Sequence, residues 1–499
     1  MKKLVSILCA AALALSLAGC GAQAADTNTN TDTTAPVVST VYSLEDATVL
    51  TFADSGITAQ DGTDGYEIDG TALTIDNAGT YAVTGTCADG SITIKKGTTG
   101  VTLVLNGLAL ASADTAPITC NKSTEVTIIA AEGSVNSLTD SAKNNDDEYP
   151  DNEAAENAVI KCKDGSRVTL GGTGSLTITA NGKNGIKSGA TTAEEGEASL
   201  TIRELTLTIN APVNDAVNAE QTLNVESGTL TISAADDALH SDLILNIGAE
   251  GTEGPAITIT QCYEGIEGAA LNIYSGDISI TSSDDCLNAA NSDLSGYDFT
   301  MNISGGTIMA CSASGDGFDS NGDLTITGGS VTVWTANTAD NQPLDADGAI
   351  TISGGTVLAA GGSNDMGMNL TAAQPCVTFG SSGGMGSPNG GGSTITKDSA
   401  LAITGSDGNT VYSGSATCNA SFLLFSSPDL IDEGSYTLSA GTATLTAEAQ
   451  SGAISSGFGG MGGGPNGGMG DFRPGDDRQP PEMPSGGGRP DGGQPPAKG

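Results

Sequence analysis

Seven segments of this chain repeat one five-residue phrase: a small polar or acidic residue, a glycine or other small residue, an apolar residue, a second polar residue and a small one. In order they are Asn184-Gly185-Ile186-Lys187-Ser188, Asp215-Ala216-Val217-Asn218-Ala219, Asp237-Ala238-Leu239-His240-Ser241, Glu264-Gly265-Ile266-Glu267-Gly268, Asp285-Cys286-Leu287-Asn288-Ala289, Asp316-Gly317-Phe318-Asp319-Ser320 and, more loosely, Gln342-Pro343-Leu344-Asp345-Ala346. Their first positions lie 31, 22, 27, 21, 31 and 26 residues apart. A period of that size marks a chain that stacks one small unit on the next. Equivalent positions then stand above one another, so the phrase constrains the fold and the chemistry together.

The unit around the phrase is clearest between 167 and 360. A typical copy runs Leu223-Asn224-Val225-Glu226-Ser227-Gly228-Thr229-Leu230-Thr231-Ile232, two short alternating runs about a glycine turn, before the acidic corner Asp236-Asp237. Alternation of apolar and polar residues over three to six positions reads as a strand with one buried face. Corners this close together leave no room for the crossover of about a dozen residues that a βαβ unit needs. A sandwich has no reason to keep one corner phrase through seven copies. The expected fold is therefore all-β, a single-stranded parallel β-helix, with Ile186, Val217, Leu239, Ile266, Leu287, Phe318 and Leu344 pointing inward as one aliphatic stack.

Around this body the expected organisation is a leader over 1–19, a flexible tether over 20–36, the β-helix over 37–450 and a disordered Gly/Pro-rich tail over 451–499. The stretch 42–139 supplies the first coils. An acidic insertion over 140–156 and a Gly-rich loop over 380–393 interrupt the body; the carboxylates of the insertion read either as solvated or as a cation site. Lys2 and Lys3 open an apolar run ending Leu17-Ala18-Gly19-Cys20, the form of an export signal. That ending resembles a bacterial lipobox, which implies cleavage before Cys20, lipid on its sulfur and a place on the outer face of the cell membrane.

The 499 residues hold 17 basic against 59 acidic side chains, a formal charge of −42, which repels nucleic acid and attracts cations. No nucleic-acid partner is expected, and a monomer is. Eight cysteines follow the leader and Cys20, none in a Cys-x-x-Cys pair, and His240 is the one histidine, so a zinc or iron–sulfur site has little support. Cys262, Cys286 and Cys311 follow a spacing close to the coil period, which fits either inter-coil disulfides or a buried thiol ladder.

With the coils superposed, Asn184, Asp215, Asp237, Glu264, Asp285, Asp316 and Gln342 form one column, and Lys187, Asn218, His240, Glu267, Asn288, Asp319 and Asp345 a second. Asp236 and Asp284 add a further acid before two corners. Charges about 4.8 Å apart, the strand spacing, repel by about 0.9 kcal/mol in water and roughly 3.5 kcal/mol at an effective dielectric of 20. Such a column is splayed into solvent, partly protonated or neutralised by a bound cation. Carboxylates mixed with amides are the oxygen donors that calcium takes, with affinity of about 0.1–1 mM in extracellular modules. The expected metal ligands are Asp215 with Asp236 and Asp237, then Asp284, Asp285, Asp316 and Asp319, with Glu264, Glu267 and Asp345 alongside. Lys187, Asn218, His240 and Asn288 are the expected sugar contacts; Trp334 and Tyr263 read equally as stacking platforms or as ordinary aromatics.

These motifs, together with Gly79-Thr80-Tyr81 and the Gly-Gly-Thr turns at Gly305-Gly306-Thr307 and Gly354-Gly355-Thr356, resemble a family of bacterial carbohydrate-binding proteins related in shape to pectate lyases. The resemblance covers about residues 60–365. It implies a right-handed helix, calcium along it, and affinity for acidic, pectin-like plant cell-wall polysaccharide. Asp236-Asp237 with Asp215 is similar to the calcium cluster of some pectate lyases, which carry an aspartate where this chain has His240. A calcium-dependent lyase of that kind uses lysine or arginine as its base, and 214–345 contains neither. No catalytic residue is therefore assigned, Lys187 and His240 being what a lyase would have to use. Binding without turnover is the expectation, ahead of a polysaccharide lyase and of a surface adhesin or scaffold.

Overall fold

A computed structural model describes residues 44, 46–60, 64–338, 341–362, 370–380 and 394–454. The leader, Cys20, the tether, most of the Gly-rich loop and the tail from 455 onward thus lie outside the described residues, whereas 451–454, expected within a disordered tail, belong to the strand Gln450–Ile454, which pairs with Leu370–Gly380. Among the described residues there are strands and turns and no helix. From Ala72–Ile75 onward most strands fall into three parallel ladders, and the chain visits each ladder in turn before returning to the first, one rung on.

The first ladder contains the corner phrases. Ser91–Ile94, Ile118–Cys120, Ala158–Cys162, Asn184–Ser188 and Val217–Ala219 pair in sequence, followed by the starts of Leu239–Ile247 and Ile266–Ile273, then Leu287–Ala289 and Phe318–Ser320. The second ladder includes Arg167–Gly171, Ser199–Ile202, Thr222–Val225 and, later, Thr300–Ile303 and Asp323–Ile326. The third includes Ser175–Thr179, Thr206–Ala211, Thr229–Ala234, Asp277–Ser282, Thr307–Ser312 and Ser330–Trp334.

Period-two patterning accounts for which side faces in. In Thr206–Ala211 the burial alternates strictly, with Leu207, Ile209 and Ala211 inside and Thr206, Thr208 and Asn210 outside. Because neighbouring rungs pair in register, Leu207 meets Leu230 and Ile209 meets Ile232, and each inward position becomes an aliphatic column. Burying one such side chain contributes about 1.5–3 kcal/mol. On the outer face of the second ladder the amides line up instead. Asn246 Nδ2 donates to Asn224 Oδ1 at 2.9 Å, Asn272 Nδ2 to Asn246 Oδ1 at 3.0 Å and Asn302 Nδ2 to Asn272 Oδ1 at 3.1 Å.

Both ends of the ladders depart from the parallel rule. At the start, Thr48–Ala53 pairs antiparallel with Gly56–Gln60, and Tyr66–Asp69 with Ala72–Ile75. Toward the C-terminus, the parallel pairing expected out to 450 ends where Ile350–Ile352 meets the start of Leu370–Gly380. Phe422–Ser426 and Gln450–Ile454 then add antiparallel to the ladders. Ala400–Gly405, Thr410–Ser415, Ser435–Ala440 and Ala443–Glu448 form a separate antiparallel sheet. The reason is turn length: Ala440 pairs with Ala443 across two residues, and Gly441, at φ +60°, supplies the left-handed turn that folds a strand directly back. This sheet closes a second core in which Trp334 and Leu358, on the outer face of the third ladder, pack with Phe379, Leu401, Phe425 and Leu438.

The acidic insertion is tied down by hydrogen bonds. Asp140, buried, accepts from Asn144 Nδ2 at 2.9 Å and from the backbone N–H groups of Asn181 and Gly182. Glu156 pairs with Lys163 and Asp147 with Lys183. No insertion residue joins the metal-capable side-chain groups found among the described residues.

Candidate cation and carbohydrate site

The corner phrases superpose residue for residue. Ile186 pairs with Val217, Val217 with Leu239, Leu239 with Ile266, Ile266 with Leu287 and Leu287 with Phe318, and a bridge joins Phe318 to Leu344. All seven are completely buried, the stack that the sequence led us to expect. The corners are stitched by backbone bonds in which the second residue of each phrase donates to the first residue of the next, as Gly185 N to Asp215 O, Ala216 N to Asp237 O and Gly265 N to Asp285 O. That contact explains the small second residue. A Cβ on Gly265 would lie 2.2 Å from Cys286 O, closer than real side chains allow.

The carboxylates of the first column turn toward the next rung. Asp215 Oδ1 accepts from Asp237 N at 3.2 Å, Asp285 Oδ1 from Asp316 N at 2.6 Å, and Asp316 Oδ1 from Gln342 N. Burial pushes Asp237, Asp285 and Asp316 up to about 7 and Glu264 up to about 8, against the help of these bonds, with neighbouring carboxylates adding to the rise. Asp215 is raised for the same first reason, and Asp319 is pushed up to about 6 by burial, then by Asp345 and Asp347. Carboxylates raised by burial and by one another favour either a proton or a cation among them.

Two groups of oxygen ligands result, each with atoms within 4.8 Å of one another: Asp215 with Asp236 and Asp237, and Asp316 with Asp319 and Asp345. Asp284 and Asp285, which the sequence placed with the second group, are not part of that close set. The Tyr263 hydroxyl bonds to Asp284 and is pushed up to about 12 by it. Asp285 stands one corner before Asp316, and Glu264 accepts from Asn288 Nδ2 at 2.8 Å.

A third close group is Asp237, His240 and Glu267. His240 Nδ1 lies 3.0 Å from Asp237 Oδ2 and 2.7 Å from Glu267 Oε2, and Nε2 lies 2.9 Å from Asp242 Oδ1. Burial alone would lower this imidazole, but the three carboxylates outweigh burial and push it up to about 12. The carboxylates thus favour the imidazolium form of His240. Both ring nitrogens are engaged by carboxylate oxygens.

The second column also extends further back than the repeated phrase reveals. Lys187 pairs with Lys161, and Lys161 with Thr119. Burial first, then the neighbouring Lys187, lowers the Lys161 amine, while Lys187 sits 3.4 Å from Glu220. The segment Ala158–Cys162 keeps the inward Ile160 but lacks the acidic corner, so the repeated phrase does not mark it. Two other features lay beyond sequence reasoning. Asn288, 7% exposed, donates through Nδ2 while its buried Oδ1 has no hydrogen-bond partner. Tyr263 is 48% exposed and stands between Asp236 and Asp284, to which its backbone bonds, whereas Trp334 is 1% exposed and belongs to the second core.

An oxygen-lined, strongly acidic face beside an exposed aromatic suits a polar, hydroxyl-rich ligand. A solved structure, the polysaccharide lyase-like protein from C. thermocellum as a gadolinium derivative, aligns at 22% identity over 66% of this chain and 97% of that one, with a TM-score of 0.33. No curated protein matches the chain. A family model described as carbohydrate-binding domain-containing protein matches residues 69–366, which is more than half of the chain and includes all seven corners. The chain belongs to this family of carbohydrate-binding domain-containing proteins.

Proposed function

We propose that this protein binds an acidic extracellular polysaccharide, of the pectin or polygalacturonate type, through calcium held along the corner face, and that it does not cleave the chain. The observation that carries the reading is Asn288 Oδ1. A buried carbonyl oxygen left without a partner costs about 1–3 kcal/mol, and this one belongs to the residue in register one rung before Asp319, whose close acidic group also includes Asp316 and Asp345. A cation satisfies that oxygen and relieves the repulsion among the acids in one step. The donors are all oxygen, mixed carboxylate and amide, which fits calcium's six to eight ligands better than magnesium's strict octahedron or the softer metals.

Asn288, Asp316, Asp319 and Asp345 would hold one ion, and Asp215, Asp236 and Asp237 another, with Glu264, Glu267, Asp284 and Asp285 adding negative charge nearby. Calcium, when bound, supplies the positive charge that a polyanion needs in order to approach so acidic a surface. Tyr263 offers a ring face to a sugar, and Asn218 and Lys187 line the same column. His240 serves as a permanent counter-charge for Asp237, Asp242 and Glu267. The three parallel ladders support a parallel β-helix as the architecture, its right hand being what the family resemblance implies, and the lipobox-like Cys20 supports attachment to the cell membrane through lipid.

Retention on immobilised polygalacturonate tests the reading. Binding is expected in calcium and should be lost in excess chelator, with Asp316→Asn/Asp319→Asn weakening it at constant fold. Retention unchanged by the chelator would sink the proposal. One observation favours a lyase as the second reading: the lowered Lys161 amine, two rungs from Asn218, is the group on this face best suited to take a proton. Release of unsaturated product from polygalacturonate, lost in Lys161→Met, would select that reading.

A further inference from the structure

Six of the eight cysteines among the described residues are buried, whereas Cys311 and Cys418 are each partly exposed. Those two, 107 residues apart in the chain, bring their sulfurs to 3.1 Å. Cys311 lies on Thr307–Ser312 in register with Trp334, on the outer face of the third ladder, and both cysteines pack against the second core. Cys418 lies between Thr410–Ser415 and Phe422–Ser426, so the pair bridges the parallel ladders and the segment that closes the antiparallel sheet over them. A covalent S–S bond of about 2.05 Å needs only about 1 Å of closure from this arrangement.

We propose that Cys311 and Cys418 form a disulfide that staples the antiparallel sheet to the parallel ladders. The spacing of Cys262, Cys286 and Cys311 suggested pairing along the coils, but the three do not share a column. Cys311 stands opposite Thr281 and Trp334, Cys286 lies in a corner, and Cys262 directs its sulfur to Thr281 O. Cys120 and Cys162 are in-register neighbours, yet both are fully buried, where an oxidant in solution cannot reach them once the chain has folded. Hydrogen bonding from Cys311, opposed by burial and aided by Lys397, lowers Cys418 to about 7, which makes its thiolate available near neutral pH.

With glutathione disulfide as oxidant, the Cys418 thiolate attacks one glutathione sulfur, breaking that S–S bond and releasing one glutathione thiolate. Cys311, deprotonated, then attacks the Cys418 sulfur of the mixed disulfide and expels the second glutathione. The two cysteines give up two electrons and two protons, and one glutathione disulfide becomes two glutathione thiols.

The test uses the full chain, incubated with glutathione disulfide, alkylated under native conditions, then digested and mapped by mass spectrometry before and after reduction. The expected result is one linked peptide pair, Cys311 with Cys418, the six buried cysteines being alkylated only after denaturation. Native alkylation of both Cys311 and Cys418, or linkage of either to Cys20 or to a buried cysteine, overturns the proposal. Reduction should lower Tm by about 2–5 °C, and Cys418→Ser should abolish that redox-dependent shift. A shift of the same size in the variant counts against the staple, and the mapping of the native chain stands even if the variant does not fold.

Discussion

In the proposed calcium site protons and the ion would compete for the same oxygens, so the cation affinity proposed for the last acidic corner has a calculable pH dependence. The perturbation is a change from about pH 8 to about pH 5 at constant ionic strength. Burial, followed by neighbouring acids, pushes Asp316 up to about 7 and Asp319 up to about 6, both from an ordinary 3.8. Each carboxylate divides the affinity by one plus its ratio of protonated to ionised form. At about pH 5 that ratio is about 100 for Asp316 and about 10 for Asp319, whereas at about pH 8 both corrections are close to one. The product is a loss of about a thousandfold. Two aspartates left at 3.8 would lose only about a tenth over the same range. Calorimetric titration of calcium at the two pH values reads the difference directly, and Asp316→Asn should reduce the remaining dependence to about tenfold while weakening binding at the higher pH. A loss of less than about tenfold in the native chain would refute the claim that these carboxylates are buried together around the ion. The stability of the cation-free protein should move the opposite way. Between 3.8 and about 7 the folded state holds more protons on these acids than the unfolded chain, so stability declines as pH rises through that window. Calcium should therefore raise Tm more near pH 8 than near pH 5.

Leu239→Ala removes a completely buried member of the corner stack and should cost about 2–5 kcal/mol in urea unfolding; a change below about 1 kcal/mol would mean that the column is not packed. Gly265→Ala places a Cβ 2.2 Å from Cys286 O and should lower Tm measurably in calorimetry, whereas alanine already occupies the matching positions Ala216 and Ala238 without harm. His240→Gln removes the imidazolium from among three carboxylates. Because its folded pKa is raised to about 12 from 6.5, its stabilisation is complete below about pH 6.5 and lost only as pH climbs through about 12. The variant should therefore be less stable than the native chain throughout the acid and neutral range, with a gap that does not close near pH 7; a gap that closes there would mean that the ring is neutral.

The repeat period made the inward stack and the two polar columns legible because strand pairing in register converts sequence spacing directly into spatial neighbours. It could not reveal Lys161, whose segment keeps the buried Ile160 but has no acidic corner to mark it. Side-chain direction was also beyond reach. That both ring nitrogens of His240 turn into carboxylates depends on Asp242 and on Glu267 from the next rung. The antiparallel sheet near the C-terminus was read as more of the same body because alternation identifies a strand without naming its partner. Its direction was written in Gly441, the two-residue turn being the one local feature that demands reversal.

Along the second column the charge changes sign within a few rungs: Lys161 and Lys187, then Asn218, then His240 held by acids, then Glu267, Asn288, Asp319 and Asp345. Across the seven steps of about 4.8 Å that separate these eight positions, the face spans roughly 34 Å, long enough for several sugar units of an extended polymer. A polyanion lying along it meets two kinds of attraction. At the lysine end its carboxylates would meet Lys187, whose charge is shared with Glu220, an attraction that salt screens within about 10 Å at 0.1 M ionic strength. At the aspartate end the same polymer is repelled unless an ion sits between, so that contact depends on calcium and pH and is less sensitive to monovalent salt. The acidity of the surface therefore does not exclude an acidic ligand. On the proposed reading capture is conditional on the ion at the aspartate end, and Lys187 marks the end of the face that would need none.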